Sequence, residues 1–156
     1  MKKRSKCRYL VFIVAAAVET AGMLGSAFAD TSAPANERPS LPDGQISRIA
    51  FGSCAKQWQH QTIWDAVIAA QPDLFLFLGD AIYADTDGQT AWSVSEGQLK
   101  GEWNRLADKP EFQRARNQIP MMAIWDNHDY GTHDGGVEFP LKEKSQAIFQ
   151  RCQLNV

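Results

Sequence analysis

The chain has 156 residues and a mass of 17.4 kDa, which is the size of one domain or of part of a larger one. Hydrophobic residues make up 44% and charged residues 22%, and this composition excludes an intrinsically disordered chain. The formal net charge of −2 hides an uneven distribution, because residues 1–29 hold five Lys or Arg and one acidic residue, and the remainder has a net charge of −6. A domain this acidic is a poor candidate for a nucleic-acid-binding domain and is better suited to binding cations.

The N-terminal segment 1–29 is typical of a secretory signal peptide. A basic start precedes the uncharged apolar run 10–18, and Ala-Phe-Ala at 27–29 places small residues where signal peptidase reads them. The alternative is a transmembrane anchor, but the run is shorter than the ~20 apolar residues that an anchor needs, and Glu19 ends it. We therefore expect export by the general secretory route, a periplasmic or extracellular mature chain beginning at Asp30, and no membrane span after cleavage.

The mature chain is predicted to alternate strands and helices after a flexible leader at 30–44, which is rich in Pro, Ser and Ala. Apolar runs predict strands, and apolar residues at helical spacing predict helices. Thr62 is predicted to cap the start of the first helix, and Pro110 is predicted to lie in the first turn of the third. The predicted elements are a strand at 46–51, a helix from Thr62 to before Pro72, a strand at 74–78, helices at 95–107 and 110–118, a strand at 121–125 and a helix at 140–150. This order predicts an α/β layered fold with a largely parallel sheet.

All three predicted strands are followed by chemically reactive side chains. These are Cys54 after the first strand, Asp80 after the second, and Asp-Asn-His-Asp at 126–129 after the third. Because ligands bind at the carboxyl ends of parallel strands, we expect these side chains to meet at one edge of the sheet. A carboxylate such as Asp80 at a buried strand end is costly without a positive partner, and no Lys or Arg lies nearby in sequence. A metal ion would satisfy it.

Several of these residues allow more than one interpretation. Cys54 is either a metal ligand or the partner of Cys152 in a disulfide, which an oxidising compartment permits. The sequence Asp-Thr-Asp-Gly at 85–88 is either a solvated turn or a weak match to a calcium loop. Asn127 can offer its carbonyl to a metal and His128 can donate a proton to a leaving group, although a His-Asp pair is more often a local hydrogen bond.

The histidines raise one further alternative. His128-Asp129 could belong to an HD-type hydrolase, but those motifs lie on helices and this pair follows a predicted strand. His60 lies in a polar stretch and is predicted to face solvent. His133-Asp134 is predicted to lie in a loop, with contact to a substrate as the lesser alternative.

Three motifs occur in a fixed order along the chain. They are Phe-Gly-Ser-Cys at 51–54, Leu-Gly-Asp-Ala-Ile-Tyr-Ala-Asp at 78–85 and Trp-Asp-Asn-His-Asp-Tyr-Gly at 125–131. Together they resemble the PhoD-like alkaline phosphatase and phosphodiesterase family of the metallophosphoesterase superfamily, and the similarity extends over 46–149. The resemblance implies a four-layer α/β/β/α metallophosphatase-like sandwich, of which 45–156 would form the N-terminal part. It also implies a phosphate-ester substrate, hydrolysed as a monoester or a diester.

The resemblance further implies a dinuclear metal site with Fe³⁺ and either Ca²⁺ or another divalent cation. Cys54 would bind the ferric ion as a thiolate, Asp80 would bridge the two metals, and Tyr83 would complete the iron's ligand shell as a phenolate. Two cations ~3.5–4 Å apart can lower the pKa of a bound water and neutralise charge on a phosphoryl transition state.

The third motif supplies the remaining implied roles. Asn127 would bind the second metal, and His128 would stabilise the phosphoryl transition state or protonate the leaving oxygen. Asp126 and Asp129 would orient these groups through hydrogen bonds.

The family fold continues beyond position 156 with further strands and a Gly-Asp-x-His type motif that this chain lacks. We therefore expect a truncated fragment with an incomplete metal site and little or no activity of its own. The alternatives are a non-catalytic fragment that binds a metal or a partner through an exposed sheet face, and a structural domain held by a disulfide.

Overall fold

The computed structural model describes the backbone of residues 12–15 and the structure of residues 39–87 and 93–152. The strands are β1 (Phe12–Ala15), β2 (Arg48–Gly52), β3 (Leu74–Leu78) and β4 (Met121–Ile124). The helices are α1 (Ile63–Ala69), α2 (Glu96–Ala107), α3 (Pro110–Arg116), α4 (Asn127–Tyr130) and α5 (Lys142–Cys152).

The strands form one sheet in the order β1-β2-β3-β4, and the predicted α/β fold with a largely parallel sheet is confirmed. Strands β2, β3 and β4 are parallel, with Gly52 paired to Phe77 and Leu78 paired to Ile124. This register brings the carboxyl ends of all three strands to the same edge of the sheet. The architecture is consistent with part of a metallophosphatase-like fold.

Strand β1 was not predicted, because its residues lie inside the segment interpreted as a signal peptide. It pairs antiparallel with β2, with Phe12 opposite Phe51 and Ala15 opposite Arg48. An edge strand offers a row of backbone N–H and C=O groups, and a short uncharged apolar run is well suited to pair with it. The rest of the predicted signal peptide and the leader as far as residue 38 lie outside the described residues, and 39–44 contains no helix or strand.

The helix ends agree with the sequence to within two or three residues. Ser95 precedes α2, accepts from the N–H of Gln98 and receives the Gln98 side chain in return, which completes a capping box. Pro110 occupies the first turn of α3, as predicted. Thr62 occupies the N-cap position of α1, as predicted, but its backbone is already helical (φ −59°, ψ −14°) and its side chain makes no capping hydrogen bond.

One face of the sheet carries the hydrophobic core. Trp64 of α1 is at the centre of an aromatic cluster, with ring centroids 5.1 Å from Phe75, 5.6 Å from Phe77 and 5.2 Å from Phe112. All four side chains are at most 3% exposed. Aromatic pairs at these centroid distances stabilise a core beyond their buried area, by roughly 0.5–1.5 kcal/mol each. This core holds β3 against α1 and α3, and so sets the position of the strand ends.

The opposite face of the sheet is apolar but open. Leu78, Met122 and Ile124 point away from the core and are 45%, 44% and 60% exposed. Within the part of the chain that the structure describes, no helix is long and apolar enough to cross a membrane.

Candidate functional site

The site begins in two loops that leave the sheet at the ends of β2 and β3. Cys54 (φ 61°) and Asp80 (φ 53°) both adopt the left-handed backbone conformation that non-glycine residues rarely occupy. Such a conformation costs on the order of 1–3 kcal/mol and persists only where the surrounding structure enforces it, often at functional sites. A hydrogen bond of 2.9 Å from the N–H of Ala55 to the carbonyl of Asp80 joins the two loops.

Three of the predicted metal ligands meet at one carboxylate oxygen. The Cys54 thiol lies 3.5 Å from Oδ2 of Asp80, and the Tyr83 hydroxyl donates to the same oxygen at 3.1 Å. The other oxygen, Oδ1, is buried and has no hydrogen-bond partner. Leaving a buried acceptor unsatisfied costs roughly 1–3 kcal/mol, so the arrangement favours a positively charged occupant.

The thiol, phenol and carboxylate of this cluster are suitable ligands for a cation, but the cluster has only one carboxylate and no imidazole. Within 39–87 and 93–152, no three His, Cys, Asp or Glu side chains form a group that could hold a metal ion. Burial raises the pKa of Tyr83, and the neighbouring Cys54 and Asp80 raise it further. A nearby cation would reverse these effects because it favours the charged forms of phenol, thiol and carboxyl alike.

The motif after β4 folds into the single helical turn α4. The Asp126 side chain accepts from the N–H of Asn127 at 2.8 Å, and Gly131 ends the turn in the left-handed region (φ 109°). His128 and Asp129 follow strand β4, as predicted, and they lie on this four-residue turn.

His128 is held by a buried carboxylate. Its Nδ1 lies 2.6 Å from Oδ1 of Asp85, and Asp85 is only 3% exposed, so the interpretation of Asp85 as part of a solvated turn is wrong. Burial by itself would lower the pKa of His128, but the hydrogen bond and charge of Asp85, with Asp80 and Asp129 nearby, outweigh it and raise the pKa. The imidazole also packs against the Tyr83 ring, with centroids 4.2 Å apart.

Asp129 connects the loops after β3 and β4. Its side chain is fully buried and accepts from the N–H of Ile82 at 2.9 Å and from the N–H of Asp126 at 3.0 Å. Burial raises the pKa of Asp129 to about 7, although hydrogen bonds from the backbone of Ile82, Asp126 and Asp80 favour the charged form. This carboxyl therefore holds the Asp80–Tyr83 loop and the α4 turn together.

Asn127 contacts His133, which lies in a loop as predicted. Its Nδ2 lies 2.7 Å from Nδ1 of His133, and the His133 ring stacks on His128 at 5.5 Å between centroids. Because the asparagine amide donates, its carbonyl oxygen remains available to a cation. The one sequence signal for His133 is its position five residues after His128.

Gln57 is a residue that sequence reasoning missed. It is 1% exposed and its side-chain amide bonds to both backbone polar groups of Tyr83. Only its position three residues after Cys54 links it to the motif in the sequence.

The remaining predicted residues lie elsewhere. Cys54 and Cys152 are both free thiols, so the alternative of a disulfide between them is not observed. Cys152 lies on α5 and lines a cavity with Trp103 and Phe112, on the side of the sheet that carries the core. His60 is exposed as predicted, with 78% of its side chain accessible, and it contacts the buried Glu111 at 2.9 Å.

The described structure is an α/β domain with thiol, phenol, carboxyl and imidazole groups gathered at the carboxyl ends of its parallel strands. The family model described as PhoD-like phosphatase matches residues 49–131, and the chain belongs to this family. The matched range contains Cys54, Asp80, Tyr83, Asn127 and His128. The family indicates a phosphoesterase, and its members are generally metal-dependent. No curated protein and no solved structure matches the chain.

Proposed function

We propose that the protein is the N-terminal part of an exported, metal-dependent phosphoesterase that acts on phosphomonoesters or phosphodiesters. The observation that carries this proposal is the convergence of the Cys54 thiol and the Tyr83 hydroxyl on Oδ2 of Asp80, while Oδ1 is buried without a partner. Membership of the PhoD-like family supports the same assignment.

The residues fit the proposed dinuclear centre of Fe³⁺ with Ca²⁺ or another divalent cation. Cys54, Asp80 and Tyr83 would hold the ferric ion once the Cys54 thiol and the Tyr83 hydroxyl lose the protons that they now direct at Asp80. The carbonyl of Asn127 would bind the second ion. When bound, the two ions would neutralise charge on the phosphate ester and lower the pKa of a water molecule.

His128 would serve the leaving group. Its Nδ1 is occupied by Asp85 at 2.6 Å, so Nε2 is the nitrogen that can face a substrate. The buried carboxylate favours the protonated imidazole, which allows Nε2 to donate a hydrogen bond to the phosphoryl group or a proton to the leaving oxygen. Asp129 would hold this turn against the loop that carries Asp80 and Tyr83, through its hydrogen bonds to both.

The described residues provide few ligands for two metal ions, so we expect slow turnover. The test therefore measures binding and turnover on the full chain. The protein is loaded with Fe³⁺ and Ca²⁺, its metal content and tyrosinate-to-iron absorption band are recorded, and inorganic phosphate is then added. Hydrolysis is followed with 4-nitrophenyl phosphate and bis(4-nitrophenyl) phosphate.

We expect bound iron, a band that inorganic phosphate perturbs, and slow hydrolysis. Asp80→Asn should lower iron affinity by about tenfold or more, and Asp85→Asn should slow hydrolysis while leaving iron bound. The matched control is Asp65→Asn, because this exposed carboxylate pairs with Arg114 far from the motif residues. Iron binding that is the same in Asp80→Asn and in the control would refute the proposal.

The exposed apolar face favours a second candidate, a non-catalytic fragment that binds a metal or a partner. Leu78, Met122 and Ile124 would supply the partner surface. Iron that stays bound with no response to phosphate and no turnover would support this candidate over the phosphoesterase.

A further inference from the structure

Gln57 is a buried amide between the first and second motifs. It lies in the loop that follows Cys54 and is 1% exposed. Its Oε1 accepts from the N–H of Tyr83 at 3.0 Å, and its Nε2 donates to the carbonyl of Tyr83 at 2.9 Å. The same nitrogen donates to Oε2 of Glu102 on α2 at 2.7 Å.

The chemistry of these partners determines which way the amide points. The Glu102 carboxylate and the Tyr83 carbonyl accept hydrogen bonds and cannot donate them. Both must therefore face the NH₂ group of Gln57. The Tyr83 N–H then faces the amide oxygen. Every group of Gln57 is matched to a partner of the opposite kind, and no other orientation of the amide satisfies all three.

This arrangement controls the far end of the Tyr83 side chain. The backbone of Tyr83 is held on both of its polar groups by a residue of the loop that also carries Cys54, and the ring packs edge-on against Trp58 at 5.4 Å. The phenol oxygen lies at the end of a rigid ring, so a small backbone rotation would displace it from Asp80. The spacing between the thiol and the phenol therefore depends on Gln57.

We propose that Gln57 is a positioning residue, which places the Tyr83 phenol beside Cys54 and Asp80 for metal binding, with Glu102 orienting the Gln57 amide. This inference rests on the proposed function, because it takes Tyr83 as a ligand. A buried glutamine that only satisfies backbone groups would affect stability without affecting the metal centre, and this difference can be measured.

The test uses the full chain with Gln57→Leu, Gln57→Glu and the double variant Gln57→Glu/Glu102→Gln. The control is Gln113→Leu, which also removes an amide-to-carbonyl hydrogen bond, from Gln113 to Ala107 at 3.0 Å. Three quantities are measured: the hydrogen-exchange rate of the Tyr83 amide in the metal-free protein, the tyrosinate-to-iron absorption band, and the free energy of unfolding in urea.

In Gln57→Leu we expect the Tyr83 amide to exchange about tenfold faster or more, and the iron affinity to fall about 10- to 100-fold with a shifted or missing band. Gln57→Glu should behave similarly, because two carboxylates then face each other. The double variant restores a donor and an acceptor between positions 57 and 102 but leaves a carboxylate facing the Tyr83 carbonyl, so it should recover part of the stability and little of the band. Gln113→Leu should change only the unfolding free energy.

Two results would overturn the inference. One is a band and iron affinity in Gln57→Leu that match those of the control at equal loss of stability. The other is an unchanged exchange rate of the Tyr83 amide in the metal-free protein. A wild-type chain without the iron band, but with faster exchange in Gln57→Leu, would instead reject the proposed function and support the hold of Gln57 on Tyr83.

Discussion

Replacement of Asp129 tests the connection between the second and third motifs. This fully buried carboxyl accepts from the backbone N–H groups of Ile82 and Asp126, which belong to loops after different strands. In Asp129→Ala the N–H of Ile82 would stay buried without an acceptor, and the partly buried N–H of Asp126 would lose its hydrogen bond. In Asp129→Asn the remaining oxygen can accept from one donor, while the new NH₂ group faces the other.

The expected loss of stability follows from counting these donors. Each buried donor left without a partner costs roughly 1–3 kcal/mol. The Asp126 N–H can reach water, so its lost hydrogen bond costs only about 0.5–1.5 kcal/mol. We therefore expect Asp129→Ala to lower the unfolding free energy by about 1.5–4.5 kcal/mol, and Asp129→Asn to lower it by about half as much. Both losses are large for a domain whose total stability is on the order of 5–15 kcal/mol.

Urea unfolding of the metal-free full chain, followed by tryptophan fluorescence, measures these differences. Since burial raises the pKa of Asp129 to about 7, ionisation of this carboxyl opposes folding increasingly as pH rises from its ordinary pKa of 3.8. The titration is therefore done at about pH 4.5, where the native carboxyl is neutral and this opposing effect is small. Asp65→Ala is the control, because that side chain is 61% exposed and its ion pair with Arg114 is worth at most about 1 kcal/mol. A loss no larger than that of the control, or Asn and Ala variants of equal stability, would refute the reasoning.

Two further perturbations test other parts of the structure. The backbone N–H of Gln61 is the main cause that lowers the pKa of Glu111 to about 2, so the carboxylate stabilises the fold above its ordinary pKa of 4.5, and this contribution is lost as pH falls towards about 2. Glu111→Gln should flatten the pH dependence of urea unfolding in this window, and an unchanged slope would contradict the assignment. A Cβ at Gly79 would lie 2.5 Å from Cβ of Asp126, at a φ of +91°, so Gly79→Ala should cost about 2–5 kcal/mol in thermal or urea unfolding. Gly44→Ala, with nothing within 4 Å of the added methyl, should be close to neutral. Equal effects of the two changes would show that the backbone at Gly79 can move away from Asp126 at little cost.

The regular elements were predictable because their signals are local. The apolar run 74–78 and the strand at 121–124 need no knowledge of other parts of the chain, and the capping box at Ser95 involves residues three apart. The strand at 12–15 was missed because an apolar run reads equally well as a signal segment, and only the free edge of β2 gives it a partner.

The environment of the site was harder to predict. The sequence left Asp85 open between a solvated turn and a calcium loop, yet the side chain is buried against His128, 43 positions away. Similarly, Gln57 and Tyr83 are 26 positions apart, and no spacing rule connects a glutamine to the backbone of a distant tyrosine. Such contacts form only when the loops at neighbouring strand ends are brought together.

The sequence by itself determined that three strands would end at one edge of a parallel sheet, and that Cys54, Asp80 and the 126–129 run would lie there. Periodicity and strand direction carry that information, because they depend on near neighbours and on the handedness of the connections. The tertiary structure alone decided which atoms meet: the thiol and phenol on one oxygen of Asp80, and the imidazole on Asp85. Those contacts depend on loop conformation and burial, which arise only when the whole sheet and its helices are packed.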